Sequence, residues 1–121
     1  MTRTVLFVCP HGAGKSRMAA AFFNRLAPAD WRATSAGQEP GPAVSPHAIR
    51  LLVGTDAEAL PDRAPPRPII GVPSPARTVA IDCDVSGADR WDRRHQEVGK
   101  ARRDELRARA RTLARELEGT R

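Results

Sequence analysis

The stretch Thr4-Val5-Leu6-Phe7-Val8-Cys9-Pro10-His11-Gly12-Ala13-Gly14-Lys15-Ser16-Arg17-Met18 decides how this chain folds. Its first five residues are a continuous apolar run rich in β-branched side chains, the pattern of a strand buried on both faces of a parallel sheet. From Ser16 to Leu26 the spacing turns helical: Met18, Phe22 and Leu26 fall on one stripe, and Ala19 to Ala21 add propensity. The order is therefore strand, glycine-containing loop, helix. That loop suits an anion. Gly12 and Gly14 let backbone N–H groups turn inward, the helix N-terminus adds unpaired donors and the positive end of its dipole, and Lys15 adds a full charge. Cys9 stands within the same field, which favours its thiolate and so places a nucleophile beneath a bound oxyanion.

Outward from this stretch, Trp31 to Ala36 reads as a second strand closing at Ser35-Ala36-Gly37, and Gln38 to Pro46 as a loop rich in proline and glycine. Ser45-Pro46 fits an N-cap with proline at the first helical position, opening a helix through Ala48, Leu51 and Leu52 to a stop at Gly54. Proline is so frequent between Leu60 and Pro75 that the segment reads as loop, with at most a short extended piece at Ile69 to Val72. Thr78-Val79-Ala80-Ile81 is a third apolar strand ending at Asp82-Cys83-Asp84, and Ser86-Gly87 marks a turn. The spacing then predicts a helix from Glu97 to about Glu118, with Val98, Ala101, Leu106, Ala110, Leu113 and Leu117 facing the core. No internal repeat is present. Strands alternating with helices predict an α/β domain with a parallel sheet covered on both faces and ligands at the carboxyl ends of the strands. Cys9 and Cys83 both fall at such ends.

A chain of 121 residues fits one domain, 1–121, with a modest core that needs neither disulfides nor metal. Aromatic residues make up only 4%, with no tyrosine, which leaves little for base stacking and argues against nucleic acid as a partner. The net charge of +6 suits acidic or phosphorylated partners. Much of that excess lies between Arg90 and Arg121, where Asp104, Glu105, Glu116 and Glu118 interleave with the arginines as on a solvated helix. Two cysteines are too few for a disulfide framework, and a reducing cytoplasm is the expected location. The apolar run before Pro10 is too short for a signal-peptide core or a membrane span, so no membrane is expected. His47 and His95 are far apart in sequence with no third ligand pattern, and neither metal nor cofactor is expected. Lys15 and Lys100 are the only lysines among 20 basic residues, which makes Lys15 informative in a chain that otherwise uses arginine.

Cys9, five residues, Lys15 and Ser16 follow Val5-Leu6-Phe7-Val8 and precede Arg17-Met18-Ala19, and Thr34-Ser35-Ala36-Gly37 leads through a proline-rich loop into a helix. This arrangement resembles the low-molecular-weight protein tyrosine phosphatases and the arsenate reductases that share their fold, over most of the chain and most strongly up to Leu52. The resemblance implies a three-layer α/β domain with a parallel four-stranded sheet flanked by helices. It implies that Cys9 attacks phosphorus or arsenic, that the loop Pro10, His11, Gly12, Ala13, Gly14 together with Lys15 holds the oxygens, and that Ser16 hydrogen-bonds the sulfur. The departures bear on chemistry. The family has arginine where Lys15 stands, and a point charge on a flexible stem grips two oxygens less well than a planar fork, so weakened activity is expected. Gly12 replaces an asparagine that stiffens the loop. The family's general acid is an aspartate, commonly followed by proline, before the last helix; here Asp92 is the first candidate and His95 the second. Cys83 lies where the thioredoxin-coupled arsenate reductases place a resolving cysteine, and is a candidate redox partner as well as a candidate structural cysteine, while their second resolving cysteine has no counterpart.

Four functions compete. A phosphatase-like hydrolase would act on a phosphorylated protein or a small phosphomonoester. An arsenate reductase would add a small thiol or a thioredoxin-type partner, and an inactive module would bind phosphate or a phosphoprotein without turnover. Gly14-Lys15-Ser16 also matches the end of a nucleotide-binding P-loop, and Val79-Ala80-Ile81-Asp82 its magnesium-holding strand, but that pattern needs glycine where Cys9 stands.

Overall fold

Strand β1 (Arg3–Cys9) lies in the middle of the sheet because its apolar run is covered on both sides: Val5, Leu6, Phe7 and Val8 are fully buried. In the computed structural model, which describes residues 2–92 and 98–119, β2 (Trp31–Gly37) pairs with one edge of β1 and β3 (Arg77–Ile81) with the other. A short β4 (Asp89–Trp91) adds outside β3. The order β2-β1-β3-β4 makes a four-stranded, wholly parallel sheet, the α/β architecture expected. β4 was not legible beforehand, since three residues at a sheet edge carry no alternating pattern.

Alternation along β1 sends Val5, Phe7 and Cys9 to one face and Leu6 and Val8 to the other. On the first face lie α1 (Lys15–Leu26) and α3 (Lys100–Glu118), which bury Met18, Phe22, Phe23, Leu106, Ala110, Leu113 and Leu117. Phe7 meets Phe23 and Trp91 there, with ring centroids 6.2 and 5.4 Å apart. Residues Ser16 to Phe23 of α1 are all buried, the helix being packed against both the sheet and α3. Leu26 escapes the stripe of Met18 and Phe22 and is exposed, because it sits in the last turn where the chain leaves for β2. On the opposite face Ile69, Val72, Cys83 and Val85 cover Leu6, Val8 and Ala36. Ile69–Gly71 forms a 3-10 turn instead of an extended piece, since pairing beside Gly37 stops at a single bridge to Pro68.

The short helix α2 (Pro46–Leu51) is capped as expected by Ser45, whose Oγ accepts from the Ala48 N–H at 3.3 Å. Helix α3 departs from expectation at its start. Ala101 is exposed and Arg102 is buried in its place, so the inward rhythm is 102, 106, 110, 113, 117 with a charged residue at its head. Its arginines are also less solvated than foreseen: Arg107 pairs with Asp56 at 3.3 Å, and Arg103 donates to the Leu51 carbonyl at 3.0 Å. Among the described residues no helix is long and apolar enough to cross a membrane.

From β1 the chain adds β2 on one side and then crosses to β3 on the other. This reversal opens a crevice at the carboxyl ends of β1 and β3, the usual ligand position of an open α/β sheet. Cys9 and Asp82 border it.

Candidate active site

Beyond Cys9, itself buried, the chain winds through Gly12 at φ +67° before entering α1. Glycine is required at this position twice over: the backbone is left-handed, and a Cβ would lie 2.6 Å from the Gly37 nitrogen. The carbonyls of Cys9, Pro10, His11 and Ala13 accept N–H bonds from Gln38, Glu39, Gly41 and Ser45 at 3.2, 2.9, 3.0 and 2.8 Å. The Gly12 carbonyl accepts from Arg17 Nε at 2.8 Å, and that of Gly14 begins α1 by accepting from Met18 at 3.0 Å. Every loop carbonyl thus has a partner. Because a trans peptide points its N–H opposite its C=O, the N–H groups of His11, Gly12, Ala13 and Gly14 turn to the inner side of the loop, and no backbone acceptor meets them among the described residues. Together with the first turn of α1 they make a concave set of donors suited to a tetrahedral oxyanion. At its base the Cys9 sulfur lies 3.1 Å from the Ser16 hydroxyl, a buried pair.

Arg17, 2% exposed, ties this loop to the next. Besides Gly12 it donates through a terminal nitrogen to the Asp62 carbonyl at 2.5 Å. Arg67 completes the strap by donating to Thr34 Oγ1, the Ser35 carbonyl and the Asp62 carboxylate at 2.9, 3.0 and 2.7 Å. Hydrogen bonds from Arg67 and the Ala64 N–H hold the Asp62 carboxyl below its ordinary range, outweighing burial.

The Lys15 ammonium meets a carboxylate of the protein, Asp82 Oδ2, at 2.9 Å. Asp82 caps the end of β3 at φ +56°. Arg102, 1% exposed, reaches the same oxygen at 3.0 Å and also pairs with Glu105. Burial alone would push the Asp82 carboxyl up, but the hydrogen bonds and charges of Lys15 and Arg102 prevail and hold it below its ordinary value. A cleft of about 380 Å³ opens beside this pair, lined by Pro10, Lys15, Asp82, Arg90 and Asp92.

Of the residues singled out in the sequence, Cys9, Pro10, Gly12, Ala13, Gly14, Lys15 and Ser16 come together here. Asp92 reaches the cleft, exposed and accepting from Arg90 at 3.2 Å. His95 lies outside the described residues. His11 turns outward, its Nδ1 3.2 Å from the Glu39 carbonyl on the exposed side. Cys83 packs against Leu6, Val8 and Ala36, on the face of the sheet opposite Cys9, its thiol 3.6 Å from the Val8 carbonyl. One residue earlier, Asp82 points to the loop side instead. Burial first, and the negative charge of Cys9 second, push the Cys83 thiol up. Arg17, Arg102 and the partners of the loop carbonyls were not singled out in the sequence. Arg102 could have been found as the charge that keeps the i, i+4 register of the α3 stripe.

No family model matches the chain, and no curated protein does. Solved structures are similar to it throughout. An arsenate reductase from Archaeoglobus fulgidus DSM 4304 is 28% identical, over 91% of this chain and 98% of its own, with a TM-score of 0.72. The YwlE arginine phosphatase from Geobacillus stearothermophilus is 25% identical, over 96% of this chain and 93% of its own, with a TM-score of 0.72. A low-molecular-weight protein tyrosine phosphatase from T. tengcongensis is 23% identical, over 96% of this chain and 100% of its own, with a TM-score of 0.70. The chain has the fold of the low-molecular-weight phosphatase and arsenate reductase superfamily.

Proposed function

We propose that the chain is a cysteine-dependent phosphoric monoester hydrolase, acting on a phosphorylated protein or a small phosphomonoester. The observation that carries this is the loop whose carbonyls are all held outward above a buried Cys9–Ser16 pair. The Cys9 thiolate attacks phosphorus in line with the ester oxygen while the inward N–H groups neutralise the equatorial oxygens. The bond from phosphorus to the leaving oxygen breaks, and that oxygen takes a proton from Asp92, the carboxyl at the rim of the cleft. Water then attacks the phosphocysteine, giving inorganic phosphate and restoring the thiolate. Lys15 assists as a point charge and shares that charge with Asp82, which supports weakened turnover.

Thiol-coupled arsenate reduction is favoured by a different observation. All five aromatic residues, Phe7, Phe22, Phe23, Trp31 and Trp91, are buried, so no exposed ring flanks an aryl leaving group, whereas an inorganic oxyanion needs none. Arsenate would condense with the Cys9 thiol, releasing water. An external thiol then attacks the Cys9 sulfur, forming a mixed disulfide and releasing arsenite, and a second thiol restores Cys9. The two thiols supply the two electrons that arsenic gains.

Hydrolysis of p-nitrophenyl phosphate and of acetyl phosphate by the reduced protein, beside Cys9→Ala, tests the first reading. Turnover abolished in Cys9→Ala supports it. Inertness toward both the aryl ester and the acyl phosphate, with arsenite formed only when a small thiol is added, replaces it by the reductase. Phosphate binding without either reaction leaves a binding module.

A further inference from the structure

Lys15 stands at the place in the loop where a cation serves a bound oxyanion, yet its ammonium lies 2.9 Å from a carboxylate belonging to the next strand end. We propose that Asp82 is a positioning residue that sets the anion affinity of the loop: it holds the Lys15 ammonium in the free protein, and a tetrahedral oxyanion must draw that ammonium away. The inference rests on the loop being an oxyanion site.

Three features favour this exchange. Arg102 is buried and bonds the same Asp82 oxygen, so the carboxylate keeps a fixed cation when Lys15 leaves. The Lys15 side chain lines the cleft and retains some exposure, and its four-carbon stem rotates freely where an arginine fork would be bound at two points. The other carboxylate oxygen, Oδ1, is buried with no hydrogen-bond partner among the described residues, so Asp82 stays a strong acceptor facing the loop's cation. An internal carboxylate and an external oxyanion thus compete for one ammonium.

Phosphate titration of the wild type, Asp82→Asn, Lys15→Met and the double variant tests the proposal by calorimetry. Asparagine accepts the left-handed backbone at position 82 and keeps the side-chain shape, and Arg102 keeps Glu105 as an ionic partner, so the variant is expected to fold with reduced stability. Asp82→Asn is expected to bind inorganic phosphate about tenfold more tightly, a gain that a merely structural residue does not give on removal. Lys15→Met is expected to bind more weakly, and adding Asp82→Asn to it restores little. The wild type supplies an independent readout, because Lys15 and Lys100 are its only lysines. With lysine labelled at Cε, the Lys15 resonance should shift as phosphate saturates while Lys100 stays in place. If the wild type binds phosphate but Asp82→Asn binds it equally or less well, or the Lys15 resonance does not move, the positioning role falls and the oxyanion site stands. If the wild type and Asp82→Asn bind no phosphate, both fall.

Discussion

The Cys9 sulfur and the Ser16 hydroxyl lie 3.1 Å apart in the buried base of the loop, with every other loop residue wound between them. The Cys9 S–H donates to Ser16 Oγ across this contact, and once the thiol has given up its proton the same hydroxyl is placed to donate to the sulfur. Ser16→Ala is expected to slow alkylation of Cys9 by iodoacetamide at neutral pH about tenfold or more, since a hydrogen bond to a charged group contributes about 1.5–3 kcal/mol. An unchanged rate would show that Ser16 does not serve the sulfur.

Arg17 spans two loops, and its removal leaves the carbonyls of Gly12 and Asp62 without those donors. Arg17→Met should destabilise the protein by about 2–4 kcal/mol in urea unfolding, from unpaired buried polar groups. Phosphate affinity should fall with it, because the Gly12 carbonyl is then free to rotate its peptide and aim the N–H of Ala13 away from the ligand. A stable variant with full phosphate affinity would remove Arg17 from the strap.

The expectations that held in the sequence rest on strong local pattern: the apolar run of β1, the Ser45-Pro46 cap and the glycines after Cys9 all act over a few residues. What escaped depends on pairing between distant segments. Nothing near Gln38 or Ser45 announces that their N–H groups hold the loop carbonyls. Arg102 looks like one more surface arginine until Asp82, twenty residues earlier in the chain, meets it. Cys83 follows a strand end, and strand alternation alone would put it on the face of Val79, Ile81 and Cys9; but β3 ends at Ile81 and Asp82 turns at φ +56°, so Asp82 takes the loop-facing position and Cys83 packs on the opposite face.

Asp82 and Asp62 both bind protons more weakly in the folded chain than in the unfolded one. Their contribution is complete above the unfolded carboxyl range near ~4 and is lost as the pH falls through the lower folded values. Urea midpoints should therefore be flat from neutral pH to about 5 and drop steeply below about 4. Asp82→Asn should flatten part of that acid limb; an unaltered limb would show that the Lys15–Asp82–Arg102 cluster does not stabilise the fold.

Because Cys9 and Cys83 pack on opposite faces of the sheet, oxidation of the native protein by diamide should give no disulfide between them. The same treatment in urea should join them readily, as peptide mapping would show. A native crosslink would mean that the end of β3 can turn over, and would return Cys83 to the chemistry.

The loop owes its shape to donors supplied from Gln38, Glu39, Gly41, Ser45 and Arg17, and hardly at all to its own side chains. Shape and reactivity therefore rest on different residues, and exchanging the nucleophile, the cation or the rim carboxylate one at a time should leave the same ring of donors in place.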